Sequence, residues 1–495
     1  MHIIVGRGSV RRGRRRAAAA SAAAALAAAC GVAVAAASSA ASAQSLEEAL
    51  AAAYSTNPQL LSERARLRAT DEQVAQALSG WRPTVQVQSS AGISRLSSSA
   101  SGGGSSGQIT IPGTTTTIPV GSGGSSSGTE ILRSHTYGLT VTQPLYRGGQ
   151  TVAQTSQAEN IVRAERATLV ATEQTVLLNA ATAYMDVLRD EELLRLQIDN
   201  EQILRQQLQA AEAQFRNGTA IETDVQLARS RLATAVSGRL TAEGNLATSR
   251  ETYQQFVGEA PQRLSPPPHR PAVPTTLDLT KRLAATSNPT VIAADFTRQA
   301  ALESVRVVRG QLLPQLSLNG QANRNVGTQS VDRTTDDLSV TAQVTVPLYE
   351  AGQVYSQVRE AQQTVAQRTH DLDVARRQAV QSAGAAWDAW QSARVSILSN
   401  DEAVRAEEAA LRGIQAQYRT GTRSIIDVLN EQQILLNDRI NLVTAQHNEA
   451  VAAFQIAVAV GRFTAIDLAL PVLPYDPNRN YQGVRDKWIG YDLPD

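Results

Sequence analysis

"VTQPLYRGGQ" occupies positions 141–150 and "VTVPLYEAGQ" occupies positions 344–353; seven of the ten aligned residues are identical. A turn written twice, 203 residues apart, marks an internal repeat, and a repeat is read before any local motif. The offset of 203 holds without a gap from Pro144/Pro347 to Gly258/Gly461. It carries Gln154 onto Gln357, Gln214 onto Gln417, Gly218-Thr219 onto Gly421-Thr422 and Asp224-Val225 onto Asp427-Val428. Upstream the offset is 231, with Asn57-Pro58 falling on Asn288-Pro289 and Pro83 on Pro314. The first half therefore holds 28 extra residues between Pro83 and Pro144, which the Ser/Gly/Thr-rich stretch 98–128 supplies as a flexible loop. Residues 259–274 read as a proline-rich linker between a first repeat at 44–258 and a second at 275–461; residues 462–495 read as a C-terminal tail.

Six arginines (Arg7, Arg11, Arg12, Arg14, Arg15 and Arg16) precede an Ala-rich run that ends in Ala41-Ser42-Ala43. This is the pattern of a secretory signal peptide, expected to be cleaved after Ala43. A membrane anchor and a lipoprotein modified at Cys30 are the alternatives. Removing residues 1–43 changes the formal charge from +1 to −5 and removes the single cysteine. A mildly acidic chain argues against nucleic acid as a partner, and a chain without cysteine needs no disulfide chemistry in an oxidising compartment. Five scattered histidines, none spaced with a second ligand, argue against a metal site. No cofactor is expected. Gly102–Gly107 fits the dinucleotide pattern and Gly124–Gly128 the serine-elbow pattern, but neither follows a buried strand or opens a helix. No acid–base or nucleophile constellation suggests an enzyme.

Residues 45–79 read as helical, opening on the capping box Ser45-x-x-Glu48. Period-two alternation then marks strands at 84–95 and 136–145, and again through Leu316 and Leu318 and from Leu338 to Val346. Four strands of about ten residues, apolar on one face and Ser/Thr/Gln on the other, suit a transmembrane barrel with a wet lumen. A half-buried sheet of a soluble domain gives the same alternation. Gln150–Phe215 and 353–418 are proline-free and rich in Ala, Leu, Gln, Glu and Arg, each predicting a helix about 100 Å long. The first turns at Asn217-Gly218 and restarts on Thr219-x-x-Glu222. The second turns at Thr420-Gly421 and restarts on Ser424-x-x-Asp427. Four strands leave two open edges, and closure takes at least about eight strands, so copies of the chain must pool their hairpins.

The doubled "QPLYRGGQ"/"VPLYEAGQ" elements, the tips "FRNGTAIETDVQLAR" and "YRTGTRSIIDVLNEQ", the start "SLEEALAAAYSTNP" and the end "AVGRFTAIDLALPVLPYDP" resemble the TolC family of outer-membrane efflux proteins, over about residues 45–480. The resemblance implies a mainly α chain with a small β part. Four strands per chain form a homotrimeric barrel in the outer membrane of a Gram-negative bacterium, continued by an α-helical tunnel across the periplasm. It implies a passive export duct for small molecules or proteins, working with a periplasmic adaptor and an inner-membrane ABC or RND transporter. It also implies site residues: a periplasmic-tip lock of Asp224, Tyr418 and Arg423, a pore constriction at Asp427 and Asn430, and adaptor-contacting tips at Asn217, Gly218, Thr219, Thr420, Gly421 and Thr422. The strand–helix turns are Pro144, Tyr146, Gly149, Pro347, Tyr349 and Gly352. At Asn430 the family has a second acidic residue, so one of its two charge rings is neutral here. A carboxylate in the first turn of a helix also favours the helix dipole, a simpler role for Asp224 and Asp427. The alternative function is a structural coiled-coil or adhesin-like surface protein with a β base.

Overall fold

The computed structural model describes residues 44–99, 108–109, 118–119, 127–267, 271–328 and 333–492. The expected signal peptide, Cys30 and the dinucleotide-like match lie outside them.

Each repeat lays down a pair of short helices, a strand pair, a long helix and a return helix. In the first, these are α1 (Leu46–Thr56), α2 (Pro58–Leu78), β1 (Thr84–Ser99), β2 (Ser127–Arg147), α3 (Gln150–Arg216) and α4 (Glu222–Val257). In the second they are α5 (Leu277–Ser287), α6 (Pro289–Arg309), β3 (Gln315–Val326), β4 (Thr334–Thr345), α7 (Gln353–Arg419) and α8 (Ile425–Ala459). A final helix, α9, spans Pro477–Arg485. Strands β1 and β2 run longer than their expected bounds. Within the expected loop, Gln108–Ile109 pairs with Ile118–Pro119.

The helix expected at 45–79 is broken at Asn57. Pro58 opens α2, and the Asn57 carboxamide oxygen accepts from the Gln59 N–H at 2.9 Å while its Nδ2 donates to the Phe256 carbonyl at 3.2 Å. Asn288 does the same in the second repeat, bonding the Thr290 N–H and the Ala459 carbonyl. The doubled Asn-Pro thus starts one helix and takes up a carbonyl that the end of another leaves free. It joins α2 to α4, and α6 to α8, end to end. Each such stack runs beside a 67-residue helix about 100 Å long.

The four strands form one antiparallel sheet in the order β1-β2-β3-β4. Its register sorts residues into rows. Val85–Val141–Gly320–Val340 and Val87–Leu139–Ala322–Leu338 lie on one face; Thr84–Thr142–Asn319–Thr341 and Gln86–Thr140–Gln321–Ser339 lie on the other. Val87 and Leu338 are 81% and 82% exposed, so the apolar face is uncovered by the rest of the chain. No helix among the described residues is long and apolar enough to cross a membrane.

The largest core lies below the sheet, where α1, α2, α3, α4 and α8 converge on Leu50, Leu67, Leu177, Tyr184, Tyr253 and Phe454. Tyr184 also holds the linker: its hydroxyl bonds the Gln44 and Ser265 carbonyls at 2.8 and 2.5 Å. The sheet is fixed to this body at Gly148, whose φ is +59°. A Cβ there would lie 2.2 Å from the Gly310 carbonyl oxygen, whereas one at Gly149 (φ +74°) would meet nothing within 4 Å. Both positions charge an L-residue about 1–2 kcal/mol for left-handed backbone. Gly148→Ala adds a backbone clash, so it should lower the thermal midpoint followed by far-UV circular dichroism well beyond Gly149→Ala. Equal shifts would show that the Gly148–Gly310 contact yields at little cost.

Candidate functional site: the helical tips and the strand–helix turns

The two tips share one backbone. The Gly218 and Thr219 N–H groups bond the Phe215 and Gln214 carbonyls at 3.0 and 2.9 Å; the Gly421 and Thr422 N–H groups bond those of Tyr418 and Gln417, both at 3.0 Å. The glycines have φ of +72° and +76°, and nothing lies within 4 Å of a Cβ at either, so backbone conformation rather than space requires them. Asn217 and Thr420 are the exposed C-caps of α3 and α7. The Thr219 and Thr422 hydroxyls donate back to the Gln214 and Gln417 carbonyls, each at 3.0 Å.

That use of Thr219 corrects one expectation. Its hydroxyl closes α3 and does not cap α4; the N-cap is Ile221, and Glu222 and Asp224 lie in the first helical turn, where carboxylates favour the dipole. Ser424 and Asp427 do form a capping box. The Asp427 Oδ2 accepts from the Ser424 N–H and Oγ–H, both at 3.0 Å. The Ser424 N–H first, then its hydroxyl and the Arg423 guanidinium, hold the Asp427 carboxyl below its ordinary range.

Within one chain the three expected lock residues do not meet. The Tyr418 ring packs on Leu204, Ala235, Ile425 and Leu429, and its hydroxyl donates to Gln214 Oε1 at 2.9 Å, not to Asp224. Arg423 Nε donates to Gln417 Oε1 at 3.3 Å, and its Nη1 lies 3.9 Å from Asp427 Oδ1. Among the described residues no hydrogen bond or ion pair joins Asp224 to either. Asn430 Oδ1 accepts from Arg231 Nη2 at 2.8 Å, so a guanidinium of the first hairpin stands where a neutral position was expected. The repeat-related pair Gln214/Gln417 carried the signal for the hairpin contacts; Arg231 carried none, because nothing in the sequence says which helix faces Asn430.

A second network ties the helices midway. His447 Nε2 of α8 lies 2.8 Å from Asp186 Oδ1 of α3, and Arg189 bonds Asp186 and Asp190, each at 2.8 Å. The Ser249 hydroxyl of α4 donates to Asp190. Trp390 Nε1 donates to Glu449 Oε1 at 3.1 Å, joining α7 to α8.

The strand–helix turns are alike at the helix and unlike at the strand. Gly149 and Gly352 are left-handed N-caps of α3 and α7 (φ +74° and +78°). In the first repeat the strand continues past Pro144, across a bulge, to Tyr146 and Arg147, because β3 lies alongside. In the second, β4 is an edge and ends at Thr345, so Pro347 and Tyr349 lie outside the sheet and Tyr349 is more exposed than Tyr146. A proline removes a ladder donor, which a bulge or an edge tolerates.

An open four-stranded sheet with an uncovered apolar face, rooted on helices about 100 Å long, is the subunit of a membrane channel with a helical tunnel. The family model of the outer membrane efflux protein matches residues 49–259 and 281–462, and the chain belongs to that family. The chain is 32% identical over 456 residues to the outer membrane efflux protein BepC of Brucella suis, covering 92% of this chain and 93% of BepC. It is 28% identical over 311 residues to the outer membrane protein TolC of Escherichia coli, covering 60% and 63%. The crystal structure of the Campylobacter jejuni CmeC outer membrane channel shares the fold, with a TM-score of 0.70, 16% identity and 89% of each chain covered. The chain is therefore an outer-membrane efflux channel protein with a large periplasmic helical part, and not an adhesin-like surface protein.

The midway network predicts a pH dependence. Burial pushes the Asp186 carboxyl up, but the His447 hydrogen bond and Arg189 outweigh it and hold the carboxyl below its ordinary value. A depressed carboxyl stabilises the fold above its unfolded pKa, and that contribution is lost as pH falls through the folded one. Asp186→Asn should cost about 1.5–3 kcal/mol near neutral pH, the range for hydrogen bonds to charged groups, and progressively less below the ordinary carboxylate range. Thermal melts across that range would show it; a deficit independent of pH would assign Asp186 a packing role.

Proposed function

We propose that three copies of the chain pool their strands into a twelve-stranded barrel and their long helices into one tunnel. The assembly exports cargo with a periplasmic adaptor and an inner-membrane ABC or RND transporter. The observation that carries this reading is the sheet: β1 and β4 are open edges, and every backbone group in lipid must be paired. Two copies would reach about eight strands, whose interior side chains just fill; three leave a passage. The rows of Thr, Gln, Asn and Ser would line it. Light scattering of the detergent-solubilised protein should return the mass of three chains, and a monodisperse monomer would refute pooling.

At the tip, the Tyr418–Gln214 and Arg231–Asn430 bonds hold the two hairpins of one chain together, and Asp224 faces a neighbouring copy, where the next chain's Arg423 pairs with it. Charge-assisted pairs of this kind restrain hairpins from splaying. The exposed Gly218 and Gly421 turns are the surfaces an adaptor meets. Three copies of Asp427 supply negative charge to the constriction, and three Arg231 offset it, so cation selectivity is weak. In planar bilayers, Tyr418→Phe with Arg231→Ala should raise the resting single-channel conductance several-fold. Asp224→Asn should raise it alone. A leak in the first variant only would confine the lock to contacts within one chain; unchanged conductance in both would remove the lock altogether.

A further inference from the structure

Helix α9 is strapped to the first repeat and delivers Lys487–Asp492 to the base of the sheet. Val484 is buried, Asn480 Nδ2 donates to Asp71 Oδ2 at 2.8 Å, and the Arg166 guanidinium lies 5.1 Å from the Tyr481 ring centre. Beyond the helix, Arg82 Nη1 donates to the Lys487 carbonyl at 2.7 Å and its guanidinium stacks 4.9 Å from the Trp488 ring centre. Arg82 itself stands at the foot of β1: Thr84 begins that strand, and Gln143 Nε2 of β2 donates to the neighbouring Trp81 carbonyl at 2.9 Å. The segment Lys487–Asp492 closes on itself around Gly490 (φ +117°), with Lys487 Nζ donating to the Asp492 carbonyl. Outside this closed turn stand Trp488 at 66% exposure, Ile489 at 91% and Tyr491 fully exposed, beside the half-exposed Trp81.

We infer that Lys487–Asp492 is an interfacial membrane strap, seating Trp488, Ile489 and Tyr491 in the headgroup region of the periplasmic leaflet. This rests on the seating of the sheet in the outer membrane. The uncovered apolar face runs from the row Val87–Leu139–Ala322–Leu338 down through Val85–Val141–Gly320–Val340 and Leu318–Ala342 to Leu316–Val344, and above it the same face carries Ser89, Tyr137, Arg324 and Asp336. Val85 is the last apolar residue of β1 at the lower end of that face. Trp81 and Arg82 follow just below that end, at the edge where Trp and Tyr collect. Arg82 and Lys487 stand beside the apolar side chains, as basic groups do where a segment lies on a lipid surface, while Arg485 is paired with Glu159 at 3.4 Å. The strap is continuous with the apolar face of the sheet, and this continuity favours lipid over a second copy of the chain.

The test uses the full-length protein with Trp81, Trp387 and Trp390 changed to Phe, leaving Trp488 as the single tryptophan. It is reconstituted in phosphatidylethanolamine/phosphatidylglycerol vesicles containing phospholipids brominated near the carbonyl or deep in the chain. Trp488 emission should be quenched several-fold more by shallow bromines than by deep ones. A companion carrying Tyr137→Trp on the apolar sheet face, with Trp488→Phe, reports the barrel. Quenching of the companion with unquenched Trp488 overturns the strap while leaving the channel: red emission means water, blue emission a neighbouring chain. No quenching of either overturns both. A spin label at Ile489→Cys, in a Cys30→Ala background with all tryptophans retained, gives an independent reading. Greater accessibility to oxygen than to an aqueous nickel chelate is expected, and the reverse order overturns the strap.

Discussion

The sheet cannot satisfy its own backbone. Four antiparallel strands pair three times and leave the outer edges of β1 and β4 with unmatched N–H and C=O groups. In water such edges are tolerated; in hydrocarbon each unmatched group costs several kcal/mol. The apolar rows through Val85, Val87 and Leu338 demand lipid, and lipid demands closure. The sheet is thus incomplete within one chain, and in the proposed trimer the identical edges of neighbouring copies complete it.

The helices answer with the same incompleteness. Of the 67 residues in α3, 23 are buried, whereas only seven of the 67 in α7 are. The two helices are repeat equivalents, so composition does not explain the difference; neighbours do. Within the chain, α3 lies against α6 of the second repeat. The equivalent neighbour of α7 is an α2, and the chain's own α2 is already packed on α3. In the proposed ring, α7 meets α2 of the next copy. Val374, Val395 and Leu398, exposed on α7, are then side chains of a seam rather than of a surface.

Much of this was legible in the sequence, because the repeat doubles each signal. The doubled Pro-Leu-Tyr turns, the Gly-Thr tips and the alternating strands placed the long helices to within a residue or two. The break at Asn57 and Asn288 was written as Asn-Pro in both halves, yet an Ala- and Leu-rich flank concealed it. Contacts between hairpins were not legible. A tyrosine hydroxyl can reach Gln214 or Asp224, and choosing between them requires knowing how deeply its ring sinks between Leu204 and Leu429. Thr219 misled for a related reason: its hydroxyl is within reach of the helix behind it as well as the one ahead, and a carbonyl left free at the end of α3 is the nearer partner.

The repeat also shows where the halves are not free to be the same. Gly148 and Ala351 are equivalents, and both adopt left-handed backbone, at φ +59° and +50°. At Gly148 the Gly310 carbonyl lies where a Cβ would be, so only glycine fits; β3 crosses there and locks the first turn into the sheet. At Ala351 the flanking strand is an edge, and a methyl group is accommodated in the same conformation. The alanine pays the conformational cost without the steric one. The Gly148/Ala351 difference between "RGGQ" and "EAGQ" is therefore the mark of an inner turn and an outer one, and in the proposed trimer the outer turn stands beside the seam with the next copy.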